Sequence, residues 1–121
     1  MKLLLVEDDP DIQLVARAAL KRAGFVVDIA GNGATALEAA RADPPSVILL
    51  DWMMPDMEGP DVCQRLKADP ATRHIPVIFM TARSQQSEVA RGMSVGAAGY
   101  IVKPFDALQL GQQVRDLLQQ P

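Results

Sequence analysis

Short apolar runs alternate along the chain with longer segments whose apolar residues keep to one side. Leu3-Leu4-Leu5-Val6 stops at Glu7-Asp8-Asp9, and Phe25-Val26-Val27, continued by Ile29 and Ala30, stops at Gly31-Asn32-Gly33. Val47-Ile48-Leu49-Leu50 stops at Asp51, Val77-Ile78-Phe79-Met80 at Thr81, and Tyr100-Ile101-Val102 at Lys103. Each run is too short for a helix, rich in aliphatic and β-branched side chains, and bounded by turn chemistry; the pattern predicts strands. Continuous apolar runs need cover on both faces, which is the habit of parallel strands.

The intervening segments read as helices. Asp9 suits a cap and Pro10 a first helical position; Ile12, Val15, Ala16, Ala19 and Leu20 then recur on one face, and Gly24 closes the helix. Ala34 to Ala42 is Ala-rich and ends before Pro44-Pro45. Pro60 to about Lys67 carries Val62 and Leu66 inward, and a last helix from about Asp106 puts Leu110, Val114, Leu117 and Leu118 on one stripe. Gln85 to Val95 is the weakest helix, interrupted by Gly92 and striped only by Val89 and Met93, so it is the easiest element to move. Five strands alternating with five helices predict an α/β fold built on a doubly wound parallel sheet. At 121 residues this is one domain, 1–121, filled by its βα units, with Gln119-Gln120-Pro121 as a frayed end or the start of a linker.

Composition narrows the partners. With 49% hydrophobic and 22% charged residues, a packed core is expected and wholesale disorder is not. Twelve basic against 15 acidic side chains leave a formal charge of -3, which speaks against a nucleic-acid or anionic-membrane surface as the main business of the domain. A single cysteine excludes a disulfide framework and suits a reducing compartment. No apolar run nears the roughly 18 residues of a membrane span, and no secretory signal is apparent, so a cytoplasmic location is expected. Eleven of the 15 acids are the short Asp, several of them where strands should end.

Those strand ends are where an open parallel sheet binds ligands. Glu7 and Asp8 follow the first strand, Asp51 the third, Thr81 the fourth and Lys103 the fifth. With the first and third strands adjacent at the reversal of strand order, three carboxylates converge and repel. A hard divalent cation with oxygen ligands relieves them, and Mg²⁺ fits, because it takes one or two carboxylates and leaves positions for phosphate oxygens. Thr81 and Lys103 opposite such a metal make a cradle for a dianionic phosphoryl group, and a central carboxylate is a nucleophile that needs no general base.

In this order and at these positions, the motifs resemble a receiver domain of a two-component response regulator. They are Val6-Glu7-Asp8-Asp9, then Leu49-Leu50-Asp51-Trp52-Met53-Met54-Pro55 with Gly59, then Met80-Thr81-Ala82, and Tyr100-Ile101-Val102-Lys103-Pro104-Phe105. Singly each is weak; together they are highly specific. The resemblance implies a flavodoxin-like sheet of order 2-1-3-4-5. It implies that Asp51 is the phosphoacceptor, taking phosphoryl from a histidine kinase or a histidine phosphotransfer protein. Mg²⁺ would be bound by Asp8 and Asp51, by Glu7 through water, and by the backbone carbonyl of Met53. Lys103 would contact the phosphoryl oxygens, with a cis bond to Pro104. Thr81 and Tyr100 would form the switch that reshapes the last two strands and helices, for an output domain or effector protein to read. Such a domain assists its own phosphorylation but is not a metabolic enzyme.

Two departures shape the expectations. The positions that tune dephosphorylation in similar domains hold Met53 and Arg83, neither of which orients an attacking water, so a long-lived phosphoryl group is expected. Trp52-Met53 and Thr81-Ala82-Arg83 resemble the winged-helix transcription-factor class and keep a phosphorylation-dependent homodimer open. Gly96-Ala97-Ala98-Gly99 before Tyr100, however, lacks the acids of that class's paired face. Met53 and Phe105, flanking the acceptor, read as partner-docking residues, whereas Cys63 and His74 read as ordinary helix and surface residues.

Three rivals compete. Gly31-Asn32-Gly33-Ala34-Thr35-Ala36 matches G-x-G-x-x-A after a strand, with Asp51 20 residues beyond Gly31, which is a near-complete dinucleotide fingerprint. That reading leaves Glu7, Asp8, Thr81 and Lys103 without a role. An aspartyl-phosphate hydrolase requires an Asp where Met53 stands. A flavodoxin-like electron carrier would place its flavin phosphate against Glu7-Asp8-Asp9.

Overall fold

A computed structural model describes residues 1–81 and 86–119, with residues 86–89 by backbone alone. The elements run β1 (Lys2–Val6), α1 (Pro10–Arg22), β2 (Val26–Ala30), α2 (Gly33–Ala42) and β3 (Val47–Asp51), then α3 (Gly59–Ala68), β4 (Val77–Thr81), α4 (Gln86–Ser94), β5 (Gly99–Val102) and α5 (Leu110–Leu118). Every pairing is parallel and the sheet order is β2-β1-β3-β4-β5, the expected flavodoxin-like topology.

The unbroken apolar strands work because successive side chains point to opposite faces. Leu4, Val6, Ile48, Leu50, Val77 and Phe79 pack under α2 and α3 with Ala36, Ala40, Val62 and Leu66. Leu3, Leu5, Val47, Leu49, Ile78 and Met80 pack under α1 and α5 with Ala16, Leu20, Leu110 and Val114. The central strands β3 and β4 are buried at every position, whereas the edge strands β2 and β5 also carry exposed residues. Val26, Tyr100 and Val102 therefore face outward despite lying in apolar runs, since an edge strand is covered on fewer sides.

Local chemistry explains the boundaries. Asp9 accepts from the backbone amides of Asp11 (2.8 Å) and Ile12 (3.4 Å), Pro10 opens α1, and Gly24 follows its end at φ +98°. Asn32 caps α2 by accepting from the Thr35 amide at 2.8 Å. Two expectations are corrected. The last helix begins at Leu110 rather than near Asp106, because Asp106 closes a turn of its own: its carboxylate accepts from the Leu108 amide and its carbonyl from that of Gln109. In α1 the stripe facing the sheet is Ala16, Ala19 and Leu20, while Val15 is 49% exposed and Ile12 half-buried, near the β5–α5 connection. Gly92 lies inside α4, where an added Cβ would stand 3.1 Å from the Phe79 ring and 3.2 Å from Trp52. Its lack of a side chain eases this close packing at a cost in helix propensity. Among the described residues no helix is long and apolar enough to cross a membrane.

Candidate functional site

The strand register assembles the site. Val6 pairs with Leu50, Asp51 with Met80, and Thr81 with Val102, so the carboxyl ends of β1, β3, β4 and β5 share one edge. One carboxylate oxygen each from Glu7, Asp8 and Asp51 lie within 4.8 Å of one another. Glu7 and Asp51 are buried and Asp8 is exposed. Lys103, from the residue after β5, places Nζ 3.1 Å from Glu7 Oε1 and 3.1 Å from Asp51 Oδ1. Its own chain is tied to β4, because the Lys103 amide donates to the Thr81 carbonyl at 2.7 Å.

Charge is not balanced within this group. Burial, and then the neighbouring Asp51, push the Glu7 carboxyl up to about 8, against the lowering effect of Lys103. Burial pulls the Lys103 ammonium down, but Asp51 and Glu7 outweigh it and hold its pKa above the ordinary lysine value. Glu7 Oε2 is buried with no hydrogen-bond partner among the described residues. A buried carboxylate with an orphaned oxygen, beside two further carboxylates, is a donor set suited to a hard divalent cation such as Mg²⁺. One lysine does not neutralise it.

The other predicted residues sit on β4, on β5 and in the loops that follow the strands. Thr81 is buried at the end of β4, and Tyr100 is exposed on β5. Met53 is 56% exposed and forms an isolated antiparallel bridge with Glu58. The Lys103–Pro104 bond is cis. Arg83 lies outside the described residues, as do Gln120 and Pro121. Of the aromatic and sulfur residues near the site, Trp52 and Met54 are core, Trp52 packing against Phe79 with ring centroids 5.0 Å apart. Cys63 is buried, its thiol pushed up to about 11 by burial, and His74 is exposed.

Sequence reasoning missed three supporting residues. The Gln13 side-chain amide donates to the Glu7 carbonyl and so steadies the peptide between Glu7 and Asp8. Glu58 Oε2 pairs with Arg91 Nη1 of α4 at 2.9 Å. Asp56 accepts from the first two amides of α2, Gly33 at 2.8 Å and Ala34 at 3.0 Å, and these bonds hold its carboxyl below the usual carboxylate range. The only sequence signal for this last contact was the glycine-rich helix start itself, since the acid is supplied 23 residues later. It also weighs against the dinucleotide reading. The helix N-terminus that would cradle a pyrophosphate is filled by this chain's own carboxylate, and Met57 lies where a Gly33 side chain would be.

Beside the carboxylates, a groove of about 410 Å³ runs between the start of α1 and the β5–α5 connection, lined by Asp11, Ile12, Val15, Lys103, Pro104 and Phe105. Its walls are almost wholly apolar, and one of its lining residues, Lys103, also contacts Asp51.

The family described as "Response regulator receiver domain" matches residues 3–115. The chain is 37% identical over 117 residues to the phosphate regulon transcriptional regulatory protein PhoB of Rhizobium meliloti, covering 97% of this chain and 52% of that one. It is 41% identical over 117 residues to the response regulator PleD of Caulobacter vibrioides, covering 96% of this chain and 26% of that one. It thus spans about half the length, or less, of the curated relatives it matches. Among solved structures, the chemotaxis response regulator CheY4 of Vibrio cholerae superposes with a TM-score of 0.91 at 28% identity, covering 96% of this chain and 97% of that one. A response regulator of Chloroflexus aurantiacus gives 0.91 at 29%, covering 98% of each.

Proposed function

Since the chain belongs to the response regulator receiver domain family, we propose that it is a phosphorylation-activated switch whose acceptor is Asp51. The observation that carries the reading is the placement of Asp51 at the end of β3, clustered with the Glu7 and Asp8 carboxylates and 3.1 Å from Lys103. An Asp51 oxygen attacks the phosphorus of a partner's phosphohistidine; the new P–O bond forms as the P–N bond breaks, and imidazole leaves. Asp8, Asp51 and the Met53 carbonyl would hold Mg²⁺, and Glu7 would act on it through a water. Bound there, the ion supplies positive charge to the acceptor carboxylate and to the incoming phosphoryl oxygens. Lys103 turns from the two carboxylates to a phosphoryl oxygen, a shift that its flexible stem permits. The Thr81 hydroxyl takes another oxygen, and Tyr100 turns inward from its exposed position on β5. With Met53 and Arg83 at the tuning positions, no side chain there orients water, and the phosphoryl group is long-lived.

The partner is a histidine kinase or a histidine phosphotransfer protein in the cytoplasm. The apolar groove beside Lys103, with Phe105 and Val15 in its walls and exposed Met53 flanking the acceptor, suits an amphipathic helix carrying the phosphohistidine. The output is an output domain or a separate effector that reads the β4–α5 face, with or without a phosphorylation-dependent homodimer. Acetyl phosphate with Mg²⁺ is expected to add one phosphoryl group to the protein by intact mass. EDTA or Asp51→Asn is expected to abolish the gain. Absence of any gain in the parent chain with Mg²⁺ overturns the reading.

A further inference from the structure

We infer that Asp56 is a positioning residue for the acceptor site: by pinning the tip of the connection between Asp51 and Gly59 onto α2, it fixes the peptides that follow the acceptor. The inference rests on the reading of Asp51 as the acceptor beside a Mg²⁺ site.

The connection is pinched at its base. The Gly59 amide donates to the Trp52 carbonyl at 2.6 Å, Met53 bridges Glu58, and the Met54 amide donates to the Met57 carbonyl at 3.2 Å. That base lies directly against the acceptor's own peptide, because a Cβ on Gly59 would stand 2.5 Å from the Asp51 carbonyl oxygen. Any rocking of the loop is therefore passed to Asp51 and to the Met53 carbonyl.

The tip is held from outside. Both Asp56 oxygens accept charge-assisted bonds from α2, at the helix end where the backbone dipole favours an anion. Met57 completes the contact: a Cβ on Gly33 would stand 2.8 Å from its sulfur. The helix does not depend on Asp56 for its own cap, since Asn32 already accepts from the Thr35 amide. Asp56 reaches instead the two amides that Asn32 leaves, and it does so from the loop that carries the chemistry. The glycine-rich turn before α2 is thereby accounted for as the seat of the acceptor loop. A further lateral tie, Glu58 to Arg91, is half-exposed and correspondingly weak.

Trp52, the only tryptophan, adjoins Asp51 and packs on Phe79, so it reports on this loop. Mg²⁺ titrations of the full chain followed by Trp52 fluorescence are expected to show a Kd about tenfold higher in Asp56→Ala, the lower end of what losing a supporting contact costs a metal site. Asp56→Asn, which keeps one acceptor, is expected to recover most of the affinity. In metal-free protein, acrylamide quenching of Trp52 is expected to rise in Asp56→Ala. Should Asp56→Ala fail to fold, Gly33→Ala displaces Met57 from the other side and is expected to move both readouts in the same direction. A folded Asp56→Ala or Gly33→Ala with parental Kd and quenching overturns the inference while leaving the acceptor reading intact. A parent chain that neither binds Mg²⁺ nor gains a phosphoryl group overturns both.

Discussion

The half of the sheet built on β1 and β3 and the half built on β4 and β5 are held in different ways. On the β1–β3 side the loops that follow the strands are anchored by hydrogen bonds to helix starts and backbone: Asp9 caps α1, Gln13 holds the Glu7 carbonyl, and Asp56 binds two amides of α2. On the other side, α4 is nine residues with a glycine inside, its tie to the loop is a half-exposed ion pair, and β5 is an edge strand with Tyr100 and Val102 outward. The contrast follows from the kind of contact. Bonds to the free amides of a helix start satisfy donors that the helix leaves open and are charge-assisted, whereas a half-exposed ion pair competes with water. The three carboxylates of the site sit on the first half, Lys103 closes it from the second, and the proposed response falls on that second half.

Two glycines give the strongest way to break this comparison. Gly59→Ala forces a Cβ to 2.5 Å from a backbone carbonyl that cannot yield. It is expected to lower unfolding stability by about 3 kcal/mol, the upper part of the overpacking range, and to weaken Mg²⁺ binding. Gly92→Ala meets ring carbons at 3.1 and 3.2 Å instead, and the gain of about 1 kcal/mol in helix propensity offsets the crowding. Urea unfolding of both variants checks the pair, and equal losses would dissolve the contrast.

A second effect is read in pH. The folded Glu7 carboxyl is raised to about 8 from an ordinary value near 4.5. Between those values the native metal-free protein holds a proton that the unfolded chain has released, so stability falls as pH rises across that window. Saturating Mg²⁺ is expected to flatten the fall, as is Glu7→Gln in EDTA. Denaturant midpoints at pH 5 and pH 8, with and without Mg²⁺, provide the check; a parental profile that rises with pH in EDTA contradicts the assignment.

The smallest effect sharpens the comparison from the β4–β5 side. Arg91→Ala removes an ion pair whose partners are each about half exposed (51% and 49%), and is expected to cost less than about 0.5 kcal/mol. Amide exchange in α4 should nevertheless quicken relative to α2. Uniform exchange across both helices would show that the ion pair does not separate the two halves.

Much of this was legible in the chain. The apolar runs marked every strand, since a run of aliphatic residues ending in Asp, Thr or Lys has few ways to be buried other than as a covered parallel strand. The strand-end residues Glu7, Asp8, Asp51, Thr81 and Lys103 followed from that alone. Less legible were contacts between segments far apart in sequence. Ile12 and Val15 share the period of Ala16 and Leu20, yet line a groove instead of the sheet, because the sequence does not say where α1 overhangs the β5–α5 connection. Asp106 reads as a helix start and instead closes a separate turn.

By itself, then, the sequence determined the alternation of elements, the two-faced burial of the strands and the identity of the charged groups at their ends. These are properties of residue order and of side-chain period, and they need no knowledge of distance. Only the tertiary structure decided the rest. It set Glu7 and Asp51 at one distance from Lys103, left one Glu7 oxygen without a partner among the described residues, and seated Asp56 on a helix start 23 residues upstream. The physical reason is range. Hydrophobic period acts along the chain, whereas hydrogen bonds and buried charges act through space over a few ångströms, and they exist only after packing has brought their partners together.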